Sequence, residues 1–147
     1  PFGQQNDDAR PFLHLIPPGA RLVSLTISAG TLIDQIKIKY REGKEEGELV
    51  IGEGNAKTNE EFYINAPITK ITGRAGDDLD QLQFHFQDGT QTPAYGGNGG
   101  KPFVVTFEDM ELSGFHGQAR SRGWISQLGF FGRLKPEEPL RKARRKV

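Results

Sequence analysis

The chain has no cysteine among its 147 residues, and only one methionine and one tryptophan. Without cysteine there is no disulfide, no thiol nucleophile and no thiolate zinc site. Long apolar runs are missing too; nothing approaches the roughly eighteen residues of a membrane-spanning helix. No basic segment followed by an apolar one marks a signal peptide near Pro1. These absences lead us to expect a soluble chain, cytoplasmic or secreted as a module of a larger protein. Net charge is also absent, with 19 Lys+Arg against 19 Asp+Glu, but the balance is uneven. Arg133 to Val147 hold seven basic residues against two Glu, which leaves the body acidic. Residues 135–147 read as a basic, flexible tail. Nucleic acid or anionic lipid would meet that tail rather than the body, and neither is the expected partner. Enzyme signatures are lacking as well. His14, His85 and His116 lie far apart without ligand spacing, and no Ser/His/Asp order appears. The reading is a binding module, not an enzyme, with no metal and no cofactor.

Ten Phe and nineteen Gly, spread among short alternating segments, favour an all-β protein. A repeat runs through it. Asp34-Gln35-Ile36, Asp80-Gln81-Leu82 and Ser126-Gln127-Leu128 recur every 46 residues, each opening an alternating strand. One unit has too little apolar surface to stand alone, so three four-stranded units must share a core and close into a prism. The alternating positions Ile36, Ile38, Leu82, Phe84, Phe86, Leu128 and Phe130 supply that core, while His85 falls on the solvated side. Gly3 to Phe12 repeats the pattern of Gly96 to Phe103, with Arg10-Pro11-Phe12 matching Lys101-Pro102-Phe103. Gly117 matches Gly76, which gives the third loop about five extra residues around Gln118 to Arg122.

Chemistry concentrates in Gly76-Asp77-Asp78-Leu79-Asp80. A glycine there would let the backbone turn with positive φ and aim the next amides outward. Asp80 is an ionised acceptor able to take two hydrogen bonds from neighbouring hydroxyls. Gly96, Gly97, Asn98, Gly99 and Gly100 present few side chains, so their amides can approach from the other side. The three aspartates lack the alternating ligands and distal Glu of a calcium loop.

Gly-x-x-x-Asp loops leading into Gln-Leu or Gln-Ile strands, with YGGNGGKPF before the third unit, resemble the jacalin-related lectins. The resemblance covers about Leu22 to Leu134, with Gly3 to Phe12 as a first glycine loop, and places a lectin domain at 1–134. It implies a β-prism of three four-stranded Greek-key sheets with pseudo-threefold symmetry, binding sugars of mannose/glucose type. Each site in that family pairs a Gly-x-x-x-Asp loop with a glycine loop that opens the neighbouring unit. By position, Gly76, Asp77, Asp78, Leu79 and Asp80 pair with Gly96–Gly100 as the primary site. Gly30, Thr31, Leu32, Ile33 and Asp34 pair with Gly52, Gly54 and Asn55 as a secondary one. A third site, from Gly3, Trp124 and Ser126, is degenerate, because serine stands at the aspartate position and Arg122 at the glycine position. Trp124 either stacks on a ligand or packs against the longer loop. The resemblance implies mannose/glucose-containing glycans as partners and allows a homo-oligomer. The alternative is a protein- or membrane-surface interaction module on a prism that has lost sugar binding.

Overall fold

The computed structural model describes residues 1–4, 8–53, 57–121 and 123–135. Gly54, Asn55, Arg122 and, apart from Lys135, the expected tail at 135–147 lie outside them. The described residues form twelve strands: β1 (Phe2–Gly3), β2 (Ala9–Leu15), β3 (Arg21–Ala29), β4 (Ile33–Glu42), β5 (Glu45–Ile51) and β6 (Phe62–Tyr63), then β7 (Ile68–Ala75), β8 (Leu79–Phe86), β9 (Tyr95–Gly96), β10 (Lys101–Thr106), β11 (Met110–Arg120) and β12 (Ile125–Leu134). They make three four-stranded antiparallel sheets, ordered β1-β12-β11-β2, β5-β4-β3-β6 and β10-β7-β8-β9. Each sheet is a long central hairpin flanked by two shorter strands, so the expected threefold prism of Greek-key sheets is present.

The core follows from the alternation. Ile36, Ile38, Leu82, Phe84 and Leu128 are fully buried and Phe86 nearly so, whereas Phe130 is half-buried at the margin. Aromatic pairs join the sheets: Phe2 stacks on Phe103 at 4.1 Å and Phe62 on Phe86 at 5.4 Å. His85 is half-buried rather than solvated. Its ring nitrogen lies 2.8 Å from the Thr72 hydroxyl, and desolvation lowers its pKa.

Symmetry extends to the irregularities. Each central hairpin bulges where the chain leaves for its functional loop, at Ser28/Ala29, Arg74/Ala75 and Gln118/Ala119. A bulge twists the strand ends and re-aims the loop beyond them. Pairing of Ala29 with Ile33, Ala75 with Leu79 and Ala119 with Ile125 fixes the loop lengths. Three residues span each of the first two loops and five span the third, so the third carries two extra residues, not five. Gly117 is therefore equivalent to Gly73, not to Gly76. Gly117 faces Leu128 as Gly73 faces Leu82, and a neighbouring phenylalanine (Phe12 or Phe103) covers each.

The glycine loops also differ from expectation. Gly96–Gly100 runs from β9 to β10, the two edges of one sheet, and crosses over the β7–β8 hairpin instead of opening the next unit. In the other two sheets β1 and β2, and β5 and β6, are likewise the two edges.

Candidate functional site

Equivalent glycines stand at or directly after the ends of β1, β5 and β9. Gly3, Gly52 and Gly96 have φ of 101°, 88° and 98°. A Cβ on any of them would fall inside the carbonyl oxygen of Ser126, Asp34 or Asp80 respectively. Glycine is thus demanded twice, by backbone twist and by close approach. Gly30 and Gly76, by contrast, do not have positive φ. An added Cβ at Gly30 would meet nothing within 4 Å, and one at Gly76 would meet only Gly100, 3.3 Å away. Absence of a side chain leaves open space above the loop at Gly30 and lets the Gly100 backbone come close at Gly76; at neither does it permit an unusual turn.

Around Asp80 the two halves come together. The Gly97 amide donates to the Asp80 carbonyl at 2.8 Å. A Cβ at Gly99 would sit 2.5 Å from Asp80 Oδ1, and one at Gly100 would sit 2.7 Å from Oδ2. The carboxylate therefore lies directly against side-chain-free backbone. Two residues absent from the sequence-based site hold this loop. Arg74 donates from Nε to the carbonyls of Asn98 (3.1 Å) and Gly99 (3.0 Å), and from Nη2 to that of Gly100 (2.8 Å). With those carbonyls drawn to Arg74, each trans peptide turns its N–H the opposite way. Gln81 donates to the Gly97 carbonyl at 3.2 Å and to Asn98 Oδ1 at 3.3 Å. The repeated Gln after Asp thus has a use, for Gln35 likewise donates to the Gly52 carbonyl at 3.3 Å.

Other predicted residues play different parts. Leu79 and Ile33 are fully buried, so their side chains anchor the loops in the core and only their backbone borders the site. Asp77 and Thr31 are exposed, and Leu32 is half-buried. Asp78 does not face Asp80 freely; it accepts from Arg120 Nε at 3.2 Å. Asp34 occupies the position in its loop that Asp80 has in the second, beside Gly52, but exposed Glu53 stands where the Gly96–Gly100 crossing has Gly97.

Burial raises the Asp80 pKa above that of an ordinary aspartate. The neighbouring charge of Asp78, and to a lesser degree Asp77, pushes the same way, while Arg74 and the Gly76 amide oppose.

The third loop is built otherwise. Ser126 is fully buried and its hydroxyl donates to the Gln118 carbonyl at 3.3 Å, so it faces inward rather than toward a ligand. Trp124 is half-buried, its Nε1 is shut from solvent without a partner among the described residues, and the Arg120 guanidinium lies 5.6 Å from its ring centre. Of the two expectations for Trp124, packing against its own loop fits this environment. A cavity at the other end of the prism, lined by Ile16, Leu22, Ile64, Ile68 and Leu112 among others, contains none of these loop residues. Among the described residues, no three His, Asp or Glu side chains gather closely enough to hold a metal ion. No helix among them is long and apolar enough to cross a membrane.

A family model for the jacalin-like lectin domain matches residues 1–131. The chain belongs to that family. A comparison with curated proteins finds no match by sequence. Solved structures give the jacalin-like fold directly. Malaysian banana lectin superimposes with a TM-score of 0.76 at 20% identity, over 91% of this chain and 95% of that one. Artocarpin, complexed with Me-α-mannose, gives 0.73 at 15% identity over 90% and 94%. A mannose-binding jacalin-related lectin from Ananas comosus gives 0.67 at 19% identity over 91% and 94%. Jacalin-like lectin domains bind carbohydrate and are not enzymes.

Proposed function

We propose that this jacalin-like lectin domain, residues 1–134, binds mannose- or glucose-type sugars through the Asp80 loop and the Gly96–Gly100 crossing. One observation carries the reading: the Asp80 carboxylate lies against the side-chain-free backbone of Gly99 and Gly100, so an acceptor and the glycine crossing can face one polyol together. Adjacent sugar hydroxyls can donate to its two oxygens, a charge-assisted geometry that needs no metal. Mannose in two of the similar lectins supports the sugar type. The Asp34 loop is the secondary site, weaker because Glu53 adds a charged side chain beside its glycine. The Gly3, Trp124 and Ser126 region is degenerate, since a buried serine offers no acceptor to solvent. A glycan array probed with and without free methyl α-mannoside tests this reading. Signal on mannose- or glucose-terminated glycans that the free sugar competes away supports it; no competable signal overturns it.

A rival reading rests on a different surface. Leu13 and Leu15 on β2 and Phe131 on β12, two strands on either side of β11 in one sheet, are 61%, 59% and 39% exposed, as on a protein-interaction face. Loss of competable glycan signal with retained protein association would favour it.

The pH dependence of binding has a definite sign. Hydroxyls donate to the ionised carboxylate, so affinity holds at neutral pH and falls as Asp80 protonates. Because its pKa is raised, the fall is expected at higher pH than an ordinary aspartate would give. Calorimetric titration with methyl α-mannoside from about pH 3 to 7 checks this. A midpoint below the usual aspartate value contradicts it.

A further inference from the structure

The third loop has lost an outward carboxylate, yet it is not slack. The Arg120 amide donates to the Trp124 carbonyl at 3.0 Å, and the Gly123 amide to the Arg120 carbonyl at 3.2 Å. From this closed turn the Arg120 side chain leaves its own sheet. Its Nη1 meets both oxygens of Asp8, at 2.8 and 2.9 Å, directly before β2. Its Nε meets Asp78 Oδ1 at 3.2 Å, in the loop of the pseudo-equivalent sheet and two residues before Asp80. Arg120 and Asp78 side chains are only 20% and 14% exposed, so solvent screens this pair less than a surface pair.

We propose that Arg120 is a positioning residue for the neighbouring sugar site: it holds Asp78 aside, offsets its charge, and so keeps the Asp80 carboxylate ionised and correctly placed. The proposal rests on the sugar-binding reading of the Asp80 loop and deepens it. Three aspartates within four residues repel one another, and whichever lies uncompensated makes ionisation of the others harder. Asp77 is exposed and can turn to water. Asp78 is not, and its charge is the strongest one opposing ionisation of Asp80. Arg74 is committed to the glycine crossing through three carbonyls, which leaves Arg120 as the cation in contact with Asp78 among the described residues. No ionisable side chain lies between Gly96 and Gly100. Lys101 comes next in sequence after that crossing, and Asp34 comes after Ile33, whose side chain lies beside Gly96. Neither is among the charged groups that shift Asp80, which are Asp78, Arg74 and Asp77. Asp8 fixes the guanidinium from the far side. The degenerate loop would thus serve the intact one, which explains why a charged side chain follows Ala119 where glycine follows Ala29 and Ala75.

The test tracks the amide resonances of Gly96–Gly100 and Gly30–Asp34 separately during methyl α-mannoside titrations at several pH values. R120Q is expected to weaken binding at the Asp80 loop by about three- to tenfold at neutral pH. It should also raise the pH midpoint by about half a unit or more and leave the Asp34 loop unchanged. R120K, which keeps the charge, should restore the midpoint. D78N should lower the midpoint, and in its background R120Q should no longer raise it. If R120Q alone does not fold, the D78N/R120Q protein against D78N gives the same comparison without an unpaired Asp78. An R120Q midpoint equal to wild type, or an equal shift with and without Asp78, overturns the proposal. Wild-type protein whose Gly96–Gly100 resonances ignore the sugar would instead overturn the sugar-binding reading itself.

Discussion

Asp80→Ala is expected to abolish measurable mannoside binding at the second loop while leaving the fold intact. A shallow polar site that competes with water for each hydroxyl leaves about −4 kcal/mol, a Kd of roughly 1 mM. Hydrogen bonds to a charged group contribute about 1.5–3 kcal/mol, so their loss weakens binding roughly ten- to a hundredfold. On a millimolar site that amounts to disappearance. Stability should move the other way, if at all. Folding raises the Asp80 pKa, so the ionised side chain costs the folded state stability above that pKa and costs nothing once protonated at acid pH. A carboxylate that opposes folding fits the proposed binding role. Calorimetry for affinity and thermal melts at neutral pH check both halves. A large drop in Tm for D80A would mean that Asp80 is structural.

Gly96→Ala is expected to damage stability and binding together. The residue has φ of 98°, and its Cβ would meet the Asp80 carbonyl oxygen, a backbone atom that cannot swing aside. Strained backbone of this kind costs about 1–3 kcal/mol, and relief of the clash would push the crossing away from the site. Gly89→Ala supplies the control. Gly89 has a similar φ of 87° in the turn after β8, but nothing lies within 4 Å of an added Cβ. G89A should lose stability through backbone strain alone and keep its sugar affinity. If the two variants bind equally well, the contact between Gly96 and Asp80 does not shape the site.

The fold was readable because its determinants are local and repeated. Ile36, Leu82 and Leu128 each come directly after the same Gln at one spacing, and all three are buried. Alternation then assigns the inner face without knowledge of the partner strands. The meeting of Asp80 with Gly96–Gly100 was legible for the same reason, since both lie within one 25-residue stretch of one sheet. Features that depend on register or on closure of the prism escaped. By sequence Gly117 matches Gly76, since both end similar-looking segments; only pairing with Leu128 shows it to be a strand glycine under Phe12. Positive φ was assigned to Gly76, but the twist resides in Gly96, because the bulge at Arg74/Ala75 already turns the chain. Arg74 reaches Asn98 to Gly100 over 24 to 26 residues, and Arg120 reaches Asp78 over 42 and Asp8 over 112. No local pattern marks such pairs, for in sequence an arginine near a strand end looks like any other solvated charge.

Among the three pseudo-equivalent loops, Asp80 should bind sugar first, Asp34 second and Ser126 last. Crystals soaked in methyl α-mannoside read that order directly. Sugar density is expected against the Asp80 carboxylate and the Gly96–Gly100 crossing, with weaker or no density at Asp34. Density at the Ser126 loop with the Asp80 loop empty would contradict the account.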